Sequence, residues 1–272
     1  MNAKAEHRLA RCAAALLVGA LLWAPPAFAR GDGVGTPRTP AEARLRLAKR
    51  LAALDVGATP PLLSGPNDAA LLRVALDPSD LPPVTASDLG TGLDSCEVSN
   101  RYNIALMFVG SRKNELKDAT PEDAARIMAE RSRVNAVRYQ DELALSLRFT
   151  ATCMARLVAP SAAFWDSLPP ADRTQIRLDG LRQVRRGMAN VYIGLVMTQA
   201  DPSSRPSNKA LMLDALLANN ARLAQGLTPD DRRGVINAIN SYLPSVSGDA
   251  KTGLVRLRDE LAALPCLQLC AL

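Results

Sequence analysis

Imidazole is the side chain most often used as general base, metal ligand or proton shuttle near neutral pH. This 272-residue chain has one, His7. Five cysteines (Cys12, Cys96, Cys153, Cys266 and Cys270) and 27 carboxylates complete the groups from which chemistry could be built. One His cannot make a His-Glu-x-x-His zinc site, a Ser-His-Asp or Cys-His arrangement would have to use His7, and no Cys-x-x-Cys spacing occurs, since Cys266 and Cys270 are four apart. Thioredoxin-like redox chemistry and covalent haem attachment therefore lack their motif. A carboxylate pair could still hydrolyse a glycoside, with Glu97, Glu115, Asp141 and Glu142 available. Only eight aromatics lie beyond residue 29, few for stacking sugars, and no spacing singles out a pair. No cofactor and no metal is expected, and a non-catalytic role is favoured over an enzymatic one.

His7 sits in a segment with its own logic. Residues 1–29 carry a basic start (Lys4, Arg8, Arg11), an apolar run from Ala13 to Trp23, Pro25 and Pro26, and then Ala27, Phe28, Ala29. These are the three regions of a secretory signal peptide. The apolar run is well short of the roughly twenty residues that span a bilayer. Cleavage is expected after Ala29, giving a periplasmic or secreted protein with no stable membrane insertion. The mature chain of 243 residues has no His, four Cys, 30 basic and 26 acidic residues. A surplus that small and that dispersed argues against nucleic acid as a partner. Arg outnumbers Lys 25 to 5 and Ala is abundant, which reads as the coding bias of a GC-rich bacterial genome.

Four cysteines in an exported chain predict two disulfides among Cys96, Cys153, Cys266 and Cys270. Three pairings are possible. In an up-and-down bundle all four fall at one pole, which favours Cys96 with Cys153.

The elements that would position these groups are helices. Residues 30–94 read as a flexible leader, a helix opening at Thr39, Pro40 and Glu42 and ending near Asp55, and a Pro/Gly-rich segment with a short helix at Ala69 to Leu76. From Ser95 the pattern changes: helices are predicted over about 95–118, 121–158, 171–200, 208–225, 229–242 and 249–264. Thr120-Pro121-Glu122-Asp123 and Thr228-Pro229-Asp230-Asp231 are helix starts with a capping oxygen, a proline and early carboxylates. Sustained period-two alternation is missing, so no sheet is expected. The predicted fold is all-α: a disulfide-stabilised antiparallel helical bundle over 95–272, preceded by the Pro/Gly-rich N-terminal segment.

Three features of the predicted helices bear on function. In the helix over 171–200, Gly180, Gly187 and Gly194 recur every seven residues beside a core stripe of Leu181, Val184, Met188, Val191, Tyr192 and Leu195. Each helix-interior Gly costs about 1 kcal/mol relative to Ala. The direct explanation is another helix lying close against the seam, and the alternative is a groove for a ligand or partner helix. In the helix over 121–158, Arg131, Asn135, Arg138 and Glu142 interrupt an otherwise apolar side. They would form a buried network, a cavity lining or a solvated notch. Arg182, Arg185 and Arg186 read as a solvated helix face. The reading that follows is an exported, non-catalytic helical protein binding a protein partner in the cell envelope. The alternatives are a small-ligand-binding bundle centred on Arg131 and Glu142, and a His-free carboxylate hydrolase of the envelope.

Overall fold

The computed structural model describes residue 37 and residues 39–271, apart from 113, 116 and 118. The expected signal segment over 1–29, with His7 and Cys12, lies outside the described residues.

Among the described residues there are nine α-helices and no strand: α1 (Pro40–Ala52), α2 (Pro66–Ala75), α3 (Leu89–Met107), α4 (Pro121–Arg138), α5 (Gln140–Ser167), α6 (Gln175–Ala200), α7 (Pro206–Leu223), α8 (Pro229–Tyr242) and α9 (Gly248–Ala263). The chain is an all-α, disulfide-stabilised helical protein. Threonine caps begin helices where the sequence places them. Thr39, Thr120 and Thr228 each accept a hydrogen bond from the backbone N–H three residues on, and each is followed by Pro at the first helical position. At Thr228 the box is complete, because Asp231 also accepts from the Thr228 backbone N–H at 3.2 Å.

Three expected boundaries are corrected. The helix predicted over 95–118 runs from Leu89 to Met107. Gly110, at φ +83°, ends it, and its N–H donates 2.8 Å to the carbonyl of Gly57, itself at φ +78°. A Cβ on Gly57 would strike the backbone of Ser111, so both positions of this crossing require glycine. The single helix predicted over 121–158 is two, broken at Tyr139 (φ −111°, ψ 31°). Tyr139 is buried, and the Gln140 side chain donates 3.1 Å to the Val137 carbonyl beside the break. The second of these helices also does not stop before Pro160 but continues through it to Ser167. A proline inside a helix costs about 3 kcal/mol, and burial of Ala162 and Trp165 beyond it offsets that cost.

The chain forms two compact units that are interleaved in sequence: Met1–Asp77 with Val98–Ser146, and Pro78–Glu97 with Leu147–Leu272. The composition change at 94/95 falls inside α3. In the first unit α1 packs on α2 through Ala43, Leu47, Leu72 and Ala75, with Tyr102 and Leu106 of α3 also fully buried. In the second, α6 packs on α7 and α8, and α9 packs on the same two helices. The principal contacts therefore run in the closed order α6, α7, α9, α8. The core of this unit is Met188, Tyr192, Leu195, Leu216, Leu223, Val235, Ile239, Leu254 and Leu257, all fully buried.

Both expected disulfides are present. Cys96 of α3 is joined to Cys153 of α5, the favoured pairing, and Cys266 to Cys270 just after α9. The first closes 57 residues and stabilises by about 2–4 kcal/mol.

Candidate interaction face

The buried stripe of α6 is set by helical periodicity. Leu181, Met188, Tyr192, Leu195 and Val196 point into the second unit at 8% exposure or less. Rotating away from that stripe brings up the glycine seam. Gly180 and Gly194 are exposed and Gly187 is half-buried. A Cβ built on Gly180 or Gly194 meets nothing within 4 Å, and one on Gly187 meets only the Met154 methyl, at 3.8 Å.

The expected close-packed helix is thus absent from the seam among the described residues. The protein does use glycine for close approach elsewhere. A Cβ on Gly253 would lie 2.6 Å from Leu213 Cδ2, and one on Gly92 would lie 2.8 Å from both Leu157 Cδ2 and Val84 Cγ1. Gly226 is similarly packed against Met188. The seam differs from these positions: it carries the helix cost of glycine with no close approach to offset it. Four residues before Gly180, Ile176 is 84% exposed, the most exposed large apolar side chain among the described residues. Ile176 and the seam lie on one side of α6, because 4 and 7 residues each bring a helix back to nearly the same face. Ile176 was not singled out in the sequence, since an isoleucine in a helix reads as core.

The residues Arg131, Asn135, Arg138 and Glu142 do not converge. Arg131 makes a bidentate ion pair with Glu115 and donates 2.8 Å to Ser111 Oγ. The Arg131 guanidinium, aided by the Arg112 backbone N–H, lowers the Glu115 carboxyl from 4.5 to about 2. Asn135, 5% exposed, donates 3.0 Å to the carbonyls of both Met107 and Val109, closing the end of α3. Arg138 is exposed and lies 5.3 Å over the Tyr139 ring. Glu142, beyond the break, is buried and accepts 2.9 Å from the Leu63 N–H. Nearby, the Tyr102 hydroxyl donates 2.7 Å to the Pro61 carbonyl, and burial pushes that phenol above its ordinary range. The four thus have separate partners: Arg131 the side chains of Glu115 and Ser111, Asn135 and Glu142 different stretches of backbone, and Arg138 a neighbouring ring. A shallow depression of about 380 Å³ does form beside α4, lined by Val109, Arg126, Ile127, Glu130, Arg131, Val134 and Asn135. The volume suits a small ligand, but the Arg131 and Asn135 donors in it are already committed. A second cleft, about 190 Å³ between the Leu81–Val84 segment and Arg156, is smaller than ordinary ligand sites.

Arg185 corrects the expectation of a solvated basic face. It is 7% exposed and donates 2.8 Å to the Leu269 carbonyl, while Arg182 pairs with Asp179 at the surface. Buried Tyr192 donates 2.7 Å to Asn220 Oδ1, whose amide donates 2.8 Å to Glu260. Burial raises the Tyr192 phenol as well. The sequence missed this line of residues, because they come from three helices with no shared spacing.

Among the described residues no group of three or more His, Cys, Asp or Glu side chains is placed to hold a metal ion. No helix among them is long and apolar enough to cross a membrane. No protein-family model, curated protein or solved structure matches the chain.

Proposed function

We propose that the chain is an exported, non-catalytic helical protein of the periplasm or cell exterior that binds a protein partner in the cell envelope. The surface is the side of α6 marked by Ile176, Gly180, Gly187 and Gly194. The observation that carries this is a seam of three in-register helix glycines with open space over Gly180 and Gly194 and only the Met154 methyl near Gly187. A helix keeps such a seam when another backbone approaches it closely, since small residues let helices touch. Nothing in the chain's described residues makes that approach, so the approaching backbone belongs to a partner. Exposed Ile176 supplies an apolar anchor at the N-terminal end of the same side. The export reading rests on the signal-like segment at 1–29 and agrees with two disulfides.

The test is affinity capture from envelope extract with the mature chain, beside variants Gly180→Leu and Ile176→Asp. Both substitutions sit on open surface and are expected to leave the fold intact while capture of a specific partner falls by at least about tenfold, the loss of roughly 1.4 kcal/mol. Equal capture by the variants refutes the α6 face. No capture at all, with thermal stabilisation by a small molecule, would favour the depression beside α4 instead.

A further inference from the structure

Residues 264–271 follow α9 as an irregular segment ending in a short 3-10 turn, Gln268–Ala271. Its main-chain carbonyls dock two buried cations. Arg185 of α6 donates 2.8 Å to Leu269 O. Arg232 of α8 donates 2.5 Å to Leu264 O, 3.0 Å to Pro265 O, and twice to Ala224 O, at 3.0 and 2.7 Å. Gln225 clasps the same segment, donating 3.0 Å to Pro265 O and accepting 2.9 Å from the Leu267 N–H. Both arginines are 7% exposed, and among the described residues neither makes an ion pair. Burial lowers both guanidinium pKa values from their usual range. Two desolvated charges are therefore held by the orientation of a few carbonyls, and burying a charge without such partners is strongly unfavourable.

The Cys266–Cys270 bond ties the ends of a four-residue step within this same segment. Its two ends differ in access: Cys266 is exposed and Cys270 is 5% exposed. The Cys96–Cys153 bond, by contrast, is buried at both ends, at 6% and 4%.

We propose that Cys266–Cys270 is a thiol-exchange site and a redox lock on the C-terminal segment, opened by an incoming dithiol. A thiolate of the dithiol bonds to Cys266 Sγ, the S–S bond breaks, and Cys270 leaves as thiolate, one residue along from the carbonyl that Arg185 holds. It then takes a proton from solvent. The second thiol of the reagent, as thiolate, attacks the reagent's own sulfur in the mixed disulfide and releases Cys266, which is protonated in turn. Two electrons and two protons pass to the protein, and the reagent departs as a disulfide. Without the bond the turn relaxes, Leu269 O withdraws from Arg185, and fully buried Leu269 becomes exposed.

The test treats the intact, doubly bridged chain with dithiothreitol in the absence of denaturant and follows each pair by alkylation and mass spectrometry, with hydrogen exchange over 264–271. Cys266–Cys270 is expected to open at least about tenfold faster than Cys96–Cys153, because attack requires access to a sulfur. The Leu267 and Cys270 amides are expected to lose protection on opening. The variant Cys266→Ser with Cys270→Ser is expected to reproduce the loosened segment with helix content unchanged. Simultaneous opening of both pairs overturns the lock, and so does opening, by reduction or in the double variant, that leaves 264–271 protected. The α6 face plays no part in this test.

Discussion

Filling the glycine seam with methyl groups should make the protein more stable. Gly180, Gly187 and Gly194 all lie inside α6, and none has a positive φ. The new Cβ meets open space at two of them and an ordinary 3.8 Å contact at the third. Replacing an interior helix glycine by alanine under those conditions gains about 0.5–1 kcal/mol, from the smaller conformational freedom of the unfolded chain. The three together are then worth about 1.5–3 kcal/mol, and at 2–4 °C per kcal/mol for a chain of this size the melting temperature rises by roughly 3–12 °C. Thermal unfolding followed by circular dichroism, on the parent and the triple alanine variant, measures it. Two controls bracket the result. Gly234→Ala, in α8, also faces open space and should stabilise without touching the seam, whereas Gly253→Ala forces buried Leu213 to move and should destabilise by about 1–3 kcal/mol. A triple variant no more stable than the parent refutes the open seam. A stabilised triple variant that also loses its partner shows stability given up for binding.

Other outcomes follow from the polar contacts. Glu115→Gln should weaken the docking of α4 at neutral pH. The Glu115 pKa is lower in the fold than in the unfolded chain, so its contribution is complete above about 4.5 and disappears as pH falls toward about 2. Acid unfolding curves of the parent should therefore show a dependence across that window that the variant lacks. Arg232→Met removes four hydrogen bonds, to the carbonyls of Ala224, Leu264 and Pro265, and leaves Leu264 O without its side-chain donor, so a loss of about 3 kcal/mol is expected by urea denaturation. Tyr102→Phe strands the Pro61 carbonyl and is expected to cost about 1–2 kcal/mol, whereas a change under 0.3 kcal/mol would show that water replaces the hydroxyl.

The helix starts were legible because their chemistry is local. Thr39, Thr120 and Thr228 bond to the backbone three residues on, within one sequence window. The Tyr139 break was not, because neither glycine nor proline marks it and the ladder continues across it, the Tyr139 N–H donating to Asn135 O and the Leu143 N–H to Tyr139 O. The predicted end at 158 fell short in the opposite direction, since the burial that carries α5 through Pro160 comes from Ala162 and Trp165 further on. The seam was visible as spacing, but its emptiness was not: Gly194 and Gly253 are both helical glycines, and only the three-dimensional neighbours separate open space from Leu213. Arg185 illustrates the same limit. It belongs to a basic triplet in sequence, and its destination is a carbonyl 84 residues away.

Helix α4 buries only Asn135 of its 18 residues and is held by that amide and by the Arg131–Glu115 pair, with Val134 and Val137 at 51% and 41% exposure. Ile127 and Met128 are only half-buried, so its release uncovers a smaller share of apolar surface than global unfolding does. Heat capacity rises when apolar surface meets water and falls when polar surface does. The opening of α4 should consequently have a small heat-capacity change and a free energy less curved in temperature than the dome of global unfolding. Cooling that weakens the apolar cores would affect this attachment less, so the two processes are separable by amide exchange recorded over a range of temperatures.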